Sequence, residues 1–407
     1  MGVFRRDLEI RFPNGDYQTI TGENIVSESM TITKSICDGN LKLGGCIATQ
    51  FDLQLIGIRP DEIQGKKIQA VFLEYSDEHF EVLYPRDDLY PSDTLIPDGR
   101  LAYNCTEKIV FTGYIDTAKR QKNREYVTII AYDELYMIGK TNVYDWFYNF
   151  AMYSSNPYIM SIIDSLFGSQ IGYDEDARKE GMQWLLRWQT SGGNNNFTKP
   201  ISLSFQRVKE YKGNITASEI LRSANELMGL FGYMTEDGKY TTKSIVNNLT
   251  PIVINNWIDL DFEEYITAQI DIVSFSYNGG NNKISYGRTS SLKSTYVSDD
   301  NILAYCCGQE DKISQLVNNL TNNGKLAYKE YRYRPFRLST AEALLPHSKI
   351  ELGSKIKIRT GYGDDDVRFV NGFVFQIKIK GIQSLMYEFS AEGDQVLNGY
   401  DSIDERI

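Results

Sequence analysis

Apolar and polar positions alternate over much of this chain. Ile47, Thr49, Phe51, Leu53 and Leu55 alternate with Ala48, Gln50, Asp52 and Gln54, the period-two pattern of a strand with one buried face. Upstream, Val26, Met30, Ile32 and Ile36 alternate with Ser27, Ser29, Thr31, Thr33 and Ser35. KIVFTGYI (108–115) and EYVTIIAYD (125–133) read as two strands of a hairpin joined by AKRQKN, and PSDTLIPDGR (91–100) reads as another turn-rich connection. Residues 1–135 therefore form a first domain, a β-barrel or sandwich rather than a βαβ unit.

The period changes near residue 136. Asn156 suits an N-cap and Pro157 the first helical position. Ile159, Ile162, Ile163, Leu166 and Phe167 then recur at helical spacing, and Gly168 closes the run. DARKEGMQWLLRW (176–188) predicts a second helix, TSGGNNNFTK (190–199) a loop and ISLSFQRV (201–208) a strand. Thr216 and Glu219 form a capping-box pattern. After them Ile220, Leu221, Ala224, Leu227, Met228 and Phe231 give one apolar helical face. Gly229 and Gly232 end it, and Asp237-Gly238 predicts a tight hairpin. Residues 136–265 thus read as an α+β insertion. Alternation returns in ITAQIDIVSFSYN (266–278), KISYGR, SKIKIRT, FVNGFVFQIKIK and SLMYEFSAEG, with Ile313, Leu316, Val317 and Leu320 predicting a short helix. Residues 266–400 form a second β-barrel-like domain with a helical insert near 309–330, followed by a tail at 401–407. The fold class is mainly β with an α+β insertion.

Length agrees with this plan, because 407 residues exceed what one hydrophobic core usually serves. Tyrosine is the unusual residue: 28 copies favour strands and surfaces that become interfaces, since the ring is apolar and the hydroxyl tolerates water. The formal charge of −11 argues against a sequence-reading nucleic-acid binder. No apolar run approaches the roughly 18 residues of a membrane span. The N-terminal MGVFRRDLEIRF turns charged too early for a signal peptide, and Arg6 stands where a myristoylation signal needs Ser or Thr.

Candidate chemistry is sparse. The two histidines, His79 and His347, lie far apart in sequence and outside any zinc spacing, so each reads as a structural or surface residue. Nucleophile-elbow, Walker and dinucleotide-binding glycine motifs are absent. TGYGDDDVR (360–368) carries three consecutive Asp, which suit a solvated hairpin tip better than a calcium loop. Cys37, Cys46, Cys105, Cys306 and Cys307 form an odd set without CxxC spacing, and no disulfide framework is expected. Cys306-Cys307 reads as a buried small-residue pair. In CDGNLKLGGC (37–46), Asp38-Gly39-Asn40 carries turn chemistry and Gly44-Gly45 marks a bulge or close approach before a long strand. No catalytic, cofactor-binding or metal-binding residue is assigned, no cofactor is expected, and no interface residue is identified.

Four patches nevertheless resemble, in the expected order, the phage tail hub proteins. NITASEILRSANELMGLFGYMTEDGKYTTKSI is similar to their T-x-x-E/Q-I-L helix, glycine break, aromatic strand and D-G-K hairpin. FEEYITAQIDIVSFSYNGGNNKISYG looks like the strand that begins their second barrel. YRPFRL followed by LGSKIKI resembles a Y-R-P-F … L-G-D-x-V-x-I stretch, with Ser354 where Asp is usual. LKLGGCIATQFDLQL fits a G-x-x-A-x-x-F strand pair.

The resemblance implies a structural, non-enzymatic homotrimer in a virion tail, made in the host bacterial cytoplasm. Its two barrel-like domains per subunit would build a pseudo-sixfold ring. The implied partners are the tail tube or distal tail protein, the tape measure protein and a central spike or tail fibre. DNA would pass through the lumen without sequence recognition, and the chain would insert in no membrane. Some members carry a C-terminal peptidase or cell-wall hydrolase, for which the residues after SAEGDQVL leave no room. Two alternatives stay open: a cell-wall-degrading tail enzyme using an acid pair, and a receptor-binding module using the Tyr-rich insert and loop 191–197.

Overall fold

Where alternation is strongest, strands form with the apolar set inward. The computed structural model describes residues 3–37, 43–76, 104–121, 125–153, 157, 159–167, 203–211, 214–243, 250–263, 272–287, 295–322, 333–346, 348–360 and 369–394. The chain folds as two units, each discontinuous in sequence.

The first unit comprises Met1–Thr31, Phe51–Ala131 and Lys380–Leu385. Strands β1 (Val3–Arg11), β3 (Gln50–Ile56), β4 (Lys67–Ser76), β5 (Asn104–Arg120) and β6 (Tyr126–Tyr132) hydrogen-bond in the order β1-β4-β5-β6-β3. A short helix, α1 (Pro60–Ile63), precedes β4. The β1–β4 register sets Leu8 opposite Phe72 and Ile10 opposite Ala70. Phe51, Leu53, Leu55, Ile68, Phe111, Val127 and Ile129 complete a buried face, with the Phe51 and Phe111 rings stacked at 5.0 Å. The expected alternation of β3 is met residue by residue. The hairpin β5–β6 is also as expected, although the tip of its loop (122–124) lies outside the described residues.

The second unit comprises Ile32–Gln50, Tyr132–Ile379 and Met386–Ile407. Its main sheet runs β2 (Thr31–Ser35), β16 (Phe369–Lys380), β17 (Met386–Asp394), β14 (Tyr333–Ala341) and β10 (Asp259–Phe262). Strand β15 (Lys355–Arg359) pairs with β16, and β9 (Ile252–Ile254) runs parallel to β15. Phe336 stands opposite Ala391 and Leu338 opposite Phe389, all buried.

Beside this sheet lie helices α2 (Glu134–Lys140), α3 (Tyr144–Tyr153), α4 (Ile159–Leu166), α5 (Ala217–Met228), α6 (Ile302–Cys306) and α7 (Glu310–Asn322). The hairpin β7 (Phe231–Met234)–β8 (Tyr240–Lys243) and a three-stranded sheet, β12 (Asn282–Gly287)–β11 (Ile272–Tyr277)–β13 (Thr295–Ser298), accompany them. Helix α5 is the hub of this layer, touching α2, α4, α6, α7 and β7. Of the apolar face read from sequence, Ile220, Leu221, Ala224 and Leu227 are buried on α5, the larger ones worth roughly 1.5–3 kcal/mol each when fully buried; Met228 is half-buried, and Phe231 is buried in β7 rather than on the helix. The fold is mainly β with a helical layer. Among the described pairings, the strand order of neither unit closes into a barrel.

Three expectations meet a different outcome, and two helices went unforeseen. The 266–278 stretch was expected to start a second barrel wall; its described part, β11, is instead the centre of the separate three-stranded sheet, packed on α6 and α7. Residues 203–208 of the expected strand ISLSFQRV make only an isolated bridge, Phe205 to Cys307. Their alternation is satisfied by burying Leu203, Phe205 and Val208 in the core, with no strand beside them among the described residues. Helix α3 escaped the periodicity because its aromatic-rich sequence suits strands equally well, and α2 because seven residues are too few to show a helical period. Gly232 does not end α5 but lies in β7, where a Cβ would sit 2.1 Å from the Tyr240 hydroxyl. The expected N-cap Asn156, the closing Gly168, the helix at 176–188, the loops at 91–100 and 190–199 and the tail at 401–407 lie outside the described residues.

Candidate functional site

Most of the residues singled out as possible chemistry are not among the described residues. His79, His347, Asp38-Gly39-Asn40 and the three Asp of 364–366 lie outside the described residues. All five cysteines are free. Cys306 and Cys307, at the end of α6, are buried; burial pushes both thiols up, Cys306 to about 12. A buried, protonated thiol is a packing group rather than a nucleophile. Cys46 is similar: burial pushes its thiol up to about 12 beside the Tyr240 hydroxyl. Among the described residues, no three His, Cys, Asp or Glu side chains are grouped to hold a metal ion.

Gly44 and Gly45 do make the close approach read from sequence. Gly44 has φ +76 and donates its N–H to the carbonyl of Leu230 at 3.0 Å, while Gly45 accepts from Gly232 N–H at 2.8 Å. A Cβ on Gly45 would fall 1.8 Å from the Ile36 carbonyl oxygen, and one on Gly44 2.7 Å from that of Arg222. This stretch is a backbone seam against α5 and β7.

Three polar constellations emerge that the motif search did not find. Asp133 is buried and caps α2, accepting from Leu135 N–H at 3.0 Å and from Thr49 N–H at 2.7 Å. Burial raises its carboxyl to about 6 despite those donors. The signal was present, since an Asp directly precedes the apolar run ELYMIGK.

The second constellation is a chain of charges. Lys34 meets Glu236 at 2.5 Å, Glu236 meets Lys349 at 3.7 Å, Lys349 meets Glu351 at 3.3 Å and Glu351 meets Lys243 at 3.6 Å. Burial alone would raise the Glu236 carboxyl, but Lys34 and Lys349 outweigh it and hold the group at about 2. These residues are far apart in sequence, and no spacing rule joins them.

The third is part-buried: Glu226 accepts from Ser298 Oγ at 2.9 Å and Asn301 Nδ2 at 2.7 Å. Asn301 also caps α6 and donates to the Ser223 carbonyl. Each network ties elements together through matched donors and acceptors, and only the second compensates charge with charge.

Surfaces remain as the candidate site. In the second unit, β10 ends the main sheet and exposes Asp259 and Asp261, with Ile258 just before it 55 % exposed and Val253 on β9 41 % exposed. Met137, Met152 and Tyr153 are exposed on α2 and α3. In the first unit β1 ends the strand order, and Ile56 and Ile109 are exposed. Strand edges of this kind are where a sheet protein meets partners.

The crystal structure of a tail protein from Neisseria meningitidis MC58 is similar to this one, with TM-score 0.50 and 13 % identity, over 96 % of this chain and 98 % of that one. The 43 kDa tail protein of prophage MuSo2 from Shewanella oneidensis matches with TM-score 0.51 and 8 % identity, over 95 % and 98 %. No protein-family model and no curated protein matches the sequence. At these identities the likeness is one of fold, and at that level the resemblance to phage tail proteins is met.

Proposed function

We propose that the chain is a structural hub of a phage tail or phage-like particle. The observation that carries this reading is a fold shared end to end with two tail proteins, one of them from a prophage. In this reading three copies form a pseudo-sixfold ring, with segments 1–135 and 266–400, the three-stranded sheet around β11 excepted, supplying the tube walls and 136–265 decorating the outside. The ring joins the tail tube or distal tail protein to a central spike or fibre, contacts the tape measure protein and lets DNA through. A net charge of −11 favours a conduit that does not retain phosphate. The role is structural, the location is the virion tail, and synthesis takes place in the host cytoplasm. Networks that tie elements together, rather than poised nucleophiles or acids, are what a scaffold needs.

The test is particle size. Light scattering and negative-stain images of the purified chain, alone and mixed with its tail-tube partner, are expected to show threefold rings. A chain that stays monomeric in both conditions overturns the hub reading. Turnover of cell-wall material, lost on removing one carboxylate, would establish the enzyme alternative instead.

A further inference from the structure

In the first unit, β1 pairs with β4 on one side, and among the described residues no strand lies along its other edge. Strand alternation turns the backbone N–H and C=O of Arg6, Leu8 and Ile10 toward that open edge. Two of the three are closed. Ile10 exchanges both hydrogen bonds with Ile20, each at 2.9 Å. Arg6 is closed by a side chain: its N–H donates to Gln383 Oε1 at 3.2 Å, and Gln383 Nε2 donates to the Arg6 carbonyl. A carboxamide offers one donor and one acceptor in the spacing of a peptide group, so Gln383 stands in for one residue of a neighbouring strand. Among the described residues, Leu8, between them, has no strand partner on that side.

The 381–383 turn is built to hold Gln383 there. Glu28 accepts from the N–H groups of Ile382 and Gln383, both at 3.0 Å, and Gly381 donates to the Met30 carbonyl at 3.0 Å. Gly381 has φ +90, and a Cβ on it would fall 2.5 Å from Glu28 Oε2. Glu28 itself adopts φ 58, a left-handed conformation that a non-glycine residue keeps only when its surroundings enforce it. The buried Arg6 guanidinium reaches the Ile382 carbonyl at 3.4 Å and Glu74 at 3.0 Å.

The side-chain pattern on β1 points the same way. Arg5, Asp7, Glu9 and Arg11 share one face. Antiparallel pairing of two copies centred on Leu8 would set Arg5 opposite Arg11 and Asp7 opposite Glu9, like against like, which disfavours pairing.

We propose that Gln383 is an edge guard: together with the β1 charge order, its carboxamide withholds the open edge of β1 from strand pairing with a second copy of the chain. This does not depend on the hub reading. Any assembly the chain makes would use other surfaces unless the 381–383 turn is first displaced.

Hydrogen exchange and sedimentation velocity test it. In the unaltered protein the Arg6 amide is expected to be protected and the Leu8 amide to exchange faster; equal rates overturn the proposal, whatever any variant does. Gln383→Ala is expected to speed Arg6 exchange about five- to tenfold, the effect of one lost hydrogen bond. Asp7→Lys with Arg11→Glu makes the antiparallel charge order complementary. That pair alone is expected to keep the parent's size, and adding Gln383→Ala to give a species of twice the mass with Leu8 newly protected. Association without Gln383→Ala overturns the guard, as does no association in the folded triple variant.

Discussion

At the scale of single residues, the most constrained positions are those where backbone meets backbone. Gly45 packs directly against the Ile36 carbonyl, so Gly45→Ala forces a main-chain shift. We expect a loss of about 3 kcal/mol in a urea titration, the upper range for overpacking; a change within experimental error would show the seam to be soft. Asp133 gives a signed pH effect. Its carboxyl is raised from 3.8 to about 6 by burial, so the folded state binds the proton more tightly than the unfolded state. Its contribution is fully present below about pH 4 and is lost as pH rises through 6. Comparing Asp133→Asn with the parent from pH 4 to pH 7.5, the difference in stability should move in the variant's favour by about 3 kcal/mol, at ~1.4 kcal/mol per unit. A pH-independent difference would exclude this role.

At the scale of elements, α5 was the best-defined unit in the sequence, and both of its ends are now accounted for. Thr216 and Glu219 form a reciprocal capping box, with Glu219 Oε2 accepting from Thr216 N–H at 2.7 Å and Thr216 Oγ1 accepting from Glu219 N–H at 3.3 Å. Gly229 stops the helix at φ 66. Thr216→Ala is expected to cost about 1 kcal/mol in thermal or urea unfolding, leaving the rest of the fold unchanged. The β7–β8 hairpin is held by its Asp237-Gly238 turn, with Gly238 at φ 83, and by Glu236 between Lys34 and Lys349. With Glu236 held at about 2, its contribution is present above pH 4.5 and fades as pH falls toward 2. At neutral pH, Glu236→Gln should cost about 1–2 kcal/mol, discounted because the pair is partly exposed to solvent. High salt should narrow the gap between parent and variant, and a salt-independent gap would assign the loss to packing.

At the scale of the whole molecule, neither unit relies on covalent staples. All five cysteines are free, and Cys105 alone among them is exposed. A chromogenic disulfide reagent at pH 8 should therefore modify Cys105 rapidly. Cys37, Cys306 and Cys307 should react only as fast as the chain opens, and reductant should leave the thermal midpoint unchanged. Rapid reaction of Cys306 or Cys307 in the folded protein would contradict their burial. Each unit ends its strand order at an edge, and the two edges differ. In the first, Gln383 and Ile20 close most of the β1 edge. In the second, β10 leaves Asp259 and Asp261 exposed at the end of its sheet.

The sequence by itself determined whatever depends on neighbours a few residues apart. It determined the alternation of β3, the capping box and apolar face of α5, the Asp-Gly turn, the helix around Leu316, and the close approach at Gly44-Gly45. These are local because periodicity and backbone freedom are properties of short segments. Tertiary structure alone decided what depends on partners from afar. It withdrew β11 from the main sheet, left Phe205 in an isolated bridge, and raised Asp133 by burying it. It assembled Lys34, Glu236, Lys243, Lys349 and Glu351 into one network and brought Gln383 to the backbone of Arg6. Strand pairing and desolvation are set by which surfaces meet in space. A residue's own neighbours in sequence leave that choice open.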